Sequence, residues 1–128
     1  MEESPRLTEA SAQDIQLELV RRTQRNAFNG KRVFEDLKAH REWWKAVLLD
    51  KHSTFDLIKL RDLPYDHWNA DTLFVLTTDE STANRLAELA EQWEADTVHI
   101  HSHDETQRQL GFWSSEPQQQ LIVEFWWD

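Results

Sequence analysis

Cysteine is absent from the 128 residues. That removes disulfides, thiolate metal ligands and a cysteine nucleophile. Glycine is nearly as scarce, with only Gly30 and Gly111 present. Phosphate-cradling loops need several glycines so that backbone N–H groups can approach the anion. Neither GxGxxG nor GxxxxGK followed by Ser or Thr occurs. No apolar run nears the roughly 20 residues that cross a bilayer. The opening MEESPRLTEASAQD is acidic and polar, unlike a secretory signal or an arginine-rich transit peptide. These absences lead to the expectation of a cytoplasmic protein without membrane association.

Aromatic residues are plentiful: seven Trp and six Phe in a chain that is 39% hydrophobic and 30% charged. They supply the apolar area that offsets chain entropy, so the chain is expected to fold around a core. The length suits one domain. Residues 1–10 read as a flexible leader and 11–128 as a single α/β domain.

Ser11 can cap a helix running to about Phe28, with Asp14 in its first turn. Asn29–Gly30 then reads as a left-handed stop. A second helix is expected from Lys31, its stripe formed by Phe34, Leu37, Trp44 and Leu48 with Val33 and Val47 beside them. Helices joined so tightly pack as a hairpin. TFDLIKL (54–60) can be a strand, RDLPYDHWNAD (61–71) a loop and TLFVLT (72–77) a buried strand. The signal TTDES caps a further helix with Ala83, Leu86, Ala87, Ala90 and Trp93 on one stripe. TVHIHS (97–102) follows as a strand, DETQRQLG as one or two helical turns ending at Gly111, and QLIVEFWWD as the closing strand. There Leu121, Val123, Phe125 and Trp127 share a face. The fold expected is α+β: an N-terminal helical hairpin packed with a small mixed sheet of about four strands containing one βαβ crossover.

Charge is strongly segregated. Residues 1–20 carry net −4, residues 21–61 net +6 and residues 62–128 net −12, where only Arg85 and Arg108 are basic. One reading is internal complementarity between a basic hairpin and an acidic α/β part. The other is steering of a basic protein partner. The stretch RRTQRNAFNGKR invites a nucleic-acid reading, but a net charge of −10 opposes the approach of a polyanion.

Three places carry chemistry-bearing residues. In VHIHSHDE, a strand would turn His99 and His101 to one side. With His103 and Asp104 they could coordinate a divalent metal, or they could simply be a polar strand end facing solvent. In the loop, Tyr65, Asp66, His67 and Trp68 combine a base, a carboxylate and stacking surface, or form an aromatic lid over the core. His40 and Arg41 interrupt the second helix's stripe. Trp43, Trp68 and Trp126 are candidate anchors for a partner, or for a homo-oligomer interface. Ser102–His103–Asp104 are contiguous and cannot form a catalytic relay. The leading expectation is a small acidic binding protein without enzymatic activity or cofactor that recognises a protein partner, for example as an inhibitor or immunity-type neutraliser of a basic enzyme. The alternative is a metal-binding module or metal-dependent hydrolase using the histidine cluster, with His67 as a candidate further ligand.

Overall fold

Ser11 starts the first helix. Its hydroxyl accepts from the Asp14 N–H and its own N–H donates to the Asp14 carboxylate, each at 3.0 Å, a reciprocal cap. Helix α1, Ala12–Arg22, buries Leu17 and Val20. It stops well short of Phe28 because Thr23 leaves the helical region, its Oγ1 donating to the Leu19 carbonyl at 2.7 Å. Two short strands follow, β1 (Gln24–Arg25) and β2 (Phe28–Asn29), with Asn26 at φ 48 in the turn between them. Asn tolerates that left-handed conformation better than most residues. Asn29 is therefore no stop. It caps α2 (Gly30–Ala39), its Oδ1 accepting from Arg32 N at 3.3 Å. Gly30 is required by close approach: a Cβ there would lie 2.0 Å from the Val20 oxygen and 2.2 Å from that of Thr23. Helices α1 and α2 pack on each other as the expected hairpin.

The computed structural model describes residues 6–51, 57–111 and 119–128. Within them the second helix is much shorter than its pattern suggested. A 3-10 turn, Arg41–Trp43, leads into strand β3, Trp44–Asp50. Trp44, Val47 and Leu48, assigned to a helical stripe, are strand residues. Their spacing fits either period. Strand pairing decides it: Val47 and Leu49 point inward, and a bulge between Trp44 and Ala46 turns Trp44 inward too. The Trp44 indole N–H then reaches the Leu37 carbonyl at 2.8 Å.

The remaining elements are α3 (Ile58–Asp62), a 3-10 turn (Leu63–Tyr65) within the segment expected as a loop, β4 (Thr72–Thr77), α4 (Glu80–Gln92), β5 (Thr97–Ile100), α5 (His103–Leu110) and β6 (Ile122–Trp126). The strand expected over 54–60 is thus helical from Ile58 onward, with Leu57 before the helix, and residues 54–56 lie outside the described residues. The α+β class and the four-stranded sheet hold, with β3 as the fourth strand. The order is β3-β4-β6-β5 and every neighbouring pair is antiparallel. The strand–helix–strand unit β4-α4-β5 does join two parallel strands, but they are not neighbours, because β6 inserts between them.

One face of the sheet, Val47, Leu49, Leu73, Val75, Val123 and Phe125, shares a core with α1, α2 and α4. Phe28 meets Trp127 edge-on at 4.4 Å. On the opposite face, register aligns Leu48, Phe74, Glu124 and His99 in one row. Helix α5 is held against this side at Thr106, whose Oγ1 accepts from Ile122 N at 3.1 Å. Among the described residues no helix is long and apolar enough to cross a membrane.

The edge strand β3 is sealed by side chains. Gln13 donates to the Val47 carbonyl at 3.0 Å and accepts from its N–H at 2.9 Å, while Gln16 accepts from Leu49 N at 3.1 Å. Helix α1 thereby substitutes for a fifth strand. Replacing Gln13 by Ala should cost about 1–3 kcal/mol, because both Val47 groups lose their partner. Glu at this position should rescue little, since a carboxylate cannot donate to the carbonyl. Urea unfolding of the three proteins checks this.

Candidate metal centre

Strand β5 has the expected alternation. Val98 and Ile100 sit beside Phe125 and Val123 of the core face, and His99 lies in the row with Glu124 on the other side. The chain then leaves the strand, because Ser102 caps α5. The Ser102 hydroxyl accepts from Glu105 N at 3.1 Å, and its N–H donates to Glu105 Oε1 at 3.0 Å. His103 and Asp104 consequently fall in the first turn of α5 and are exposed.

Among the described residues, the group whose donor atoms converge is His99, His101 and Glu105, with one ligand atom from each within 4.8 Å of the others. Two of the four residues assigned to a metal from sequence are in it. His103 and Asp104 are not, nor is His67. Glu105 Oε2 lies 3.4 Å from His99 Nε2 and 3.9 Å from His101 Nδ1. Around a tetrahedral ion with bonds of about 2.0–2.2 Å, donors stand roughly 3.3–3.6 Å apart. A small side-chain adjustment separates the two geometries.

The electrostatics of the group favour a cation. His101 is buried, its side chain 8% exposed, and its Nε2 lies 2.9 Å from Glu124 Oε1. A carboxylate accepts only, so the Glu124 contact places a proton on Nε2; a ligating imidazole of that tautomer presents the lone pair of Nδ1. Among the described residues that buried Nδ1 has no hydrogen-bond partner. The Glu105 carboxyl is held down to about 2, chiefly by the Ser102 backbone N–H and next by His99, so it is anionic at any physiological pH. His99 and Glu105 are partly open to solvent, with side chains 56% and 41% exposed. Sequence reasoning missed both acids. Glu105 was signalled by the Ser-x-x-Glu spacing of a capping box. Glu124 had no local signal, because its place depends on strand order.

The other candidates do not converge. Tyr65 is 81% exposed and lies over no core. Asp66, at φ 56, lies 3.4 Å from Arg22, and no hydrogen bond joins His67 to Asp66 or Tyr65 among the described residues. Trp68 packs on the core rim with its indole N–H 3.2 Å from the Leu49 carbonyl. Trp43 packs at the other end of β3, stacked on His40 at 3.8 Å. Trp126 is half-buried on the outer face of β6. Arg41 lies over the Trp44 ring at 4.0 Å and donates to the Trp44 carbonyl.

The loop is fastened instead by Asp62. Arg61 donates to it at 2.8 and 3.0 Å and Asn69 at 2.8 Å, and this holds its carboxyl down to about 2 against an ordinary 3.8. A depressed folded-state pKa stabilises above the ordinary value and the contribution disappears as pH falls through the folded one. Asp62→Asn should therefore lower the melting temperature at pH 7, and the gap from the parent should close between about pH 4 and pH 2, as followed by thermal melts across that range.

Compared with known protein families, curated proteins and solved structures, the chain matches none, so the His99–His101–Glu105 cluster is read from its own chemistry.

Proposed function

We propose that this domain binds a divalent transition-metal ion through His99 Nε2, His101 Nδ1 and Glu105 Oε2, with Glu124 orienting His101. The observation that carries the reading is the buried, unpartnered His101 Nδ1 facing two further donors while Nε2 is committed to a carboxylate. An orphaned buried acceptor costs about 1–3 kcal/mol, and a metal ion relieves it. A carboxylate on the far nitrogen is the usual support of a metal-bound imidazole: it fixes the tautomer and raises ligand basicity. Two imidazoles and one carboxylate suit zinc and its first-row neighbours rather than calcium or magnesium. Three protein ligands leave a tetrahedral position for water, which such an ion acidifies.

Calorimetric titration of chelator-treated, untagged protein with zinc should show one equivalent bound, accompanied by a rise in melting temperature. His101→Ala should abolish binding. Glu124→Gln should weaken it by roughly 10–100-fold, and His103→Ala and Asp104→Asn should leave it unchanged. No binding at about 1 mM metal, an affinity that falls to nothing useful in a cell, would end this reading, as would an equal loss in the His103 and Asp104 variants.

A second reading, recognition of a basic protein partner, is favoured by a separate observation. Glu80, Glu88 and Glu91 of α4, with Glu94 after it, are exposed and make no ion pair among the described residues. The ion pair linking α1 to the acidic part, Arg22–Asp66 at 3.4 Å, is exposed, so internal pairing leaves this acidic side uncovered. Association with a cationic protein should slow about tenfold or more between roughly 50 and 300 mM salt. Stopped-flow rates that ignore ionic strength would remove it.

A further inference from the structure

The two edges of the sheet are treated in opposite ways. On β3, Gln13 and Gln16 occupy the backbone groups of Val47 and Leu49. On β5 the His101 N–H donates inward to the Ile122 carbonyl at 2.8 Å, and register pairs His99 with Glu124. Antiparallel ladders alternate with a two-residue period, so the N–H and C=O groups of Val98 and Ile100 point away from the sheet. Among the described residues nothing bonds to them. The edge also lacks three of the usual protections: Thr97–Ile100 contains no lysine, proline or bulge. Val98, on the core-face side, is 39% exposed.

We propose that β5 pairs antiparallel with β5 of a second copy of this chain, about a two-fold axis at His99, continuing the sheet across the interface. In that register the strand is self-complementary. Centred on His99, Val98 lies opposite Ile100 of the second copy, and their outward backbone groups bond each other in both directions. The apolar pair continues the core face, Thr97 meets His101, and Asp96 falls opposite Ser102. Centring on Val98 would set Ile100 against Asp96, and a slip by a single residue would place apolar side chains on the polar face. A strand from an unrelated protein has no such match built in. Each copy carries −10, so the pairing works against like-charge repulsion and strengthens as salt rises, opposite in sign to capture of a cationic partner.

The test is sedimentation equilibrium of the full chain at about 100 μM, a concentration that populates interfaces of modest affinity, in low and high salt with chelator present so that metal plays no part. The expected result is a dimer favoured by high salt. Val98→Pro should weaken it by roughly tenfold or more while circular dichroism and melting temperature hold, because that N–H makes no bond within one copy and proline is tolerated where an edge N–H faces outward. Val98→Lys, which leaves the backbone intact, should weaken it to a similar degree even if the proline variant misfolds. A chain that stays monomeric at every salt concentration overturns the proposal, and so does a dimer indifferent to both substitutions.

Discussion

The position of β6 decides most of what this molecule can do. The last strand runs between β4 and β5, antiparallel to both, and its ends are fixed by specific bonds. At its start the Leu121 carbonyl accepts from the Thr77 N–H and hydroxyl, each at 2.8 Å, and Ile122 N donates to Thr106. At its end Trp127 N donates to the Asp71 carbonyl and the Trp127 indole to that of Trp93. With Phe125 and Trp127 fully buried, a shift of one residue would expel two large aromatics from the core, at several kcal/mol. The same locked register sets Glu124 in the row beside His99 and within reach of His101. The site's supporting carboxylate is thus placed by core packing, which is the rigidity a coordination sphere needs.

Glu105 belongs to two structures at once. One carboxylate oxygen completes the cap of α5, accepting from Ser102 N, and the other faces the imidazoles. The cap preorganises that second oxygen, since the rotamer that satisfies Ser102 also aims Oε2 at His99. Helix α5 is otherwise lightly held, with Thr106 its buried residue. A short helix with one buried side chain gains little from packing. In the proposed metal-bound form the ion joins α5 to β5 directly, so coordination and helix docking stabilise each other.

Much of the fold was legible in the sequence, and the failures share a cause. The α1 start, the α4 stripe, the alternation of β5 and the buried face of β6 follow from local periodicity and capping chemistry, which act over a few residues. The α2–β3 boundary was not legible, because Phe34, Leu37, Trp44 and Leu48 satisfy a helical period while Val47 and Leu49 satisfy a strand. Only the neighbour β4 breaks the tie. The Asn29–Gly30 pair is a punctuation mark of the opposite sense to a stop: it opens α2, and Asn26 makes the turn. In the site, His99 and His101 share a face by local geometry alone. Glu105 was legible in principle through its spacing from Ser102. Glu124 lies 23 residues from its histidine and required the strand order.

The two proposals for β5 do not compete for the same atoms, and the alternation of the strand is the reason. His99 and His101 turn their backbone groups inward to β6 and their side chains to the outer face, where Glu105 and Glu124 wait. Val98 and Ile100 turn their side chains to the core and their backbone groups to the open edge. One short strand therefore presents coordination chemistry on its face and pairing chemistry on its rim. In the paired register the two His99 residues are direct neighbours across the axis at a non-hydrogen-bonded position, where side chains approach most closely. A cation at each site would offset part of the repulsion between two acidic copies. Metal can thus alter how tightly the copies associate without being required for the strands to match.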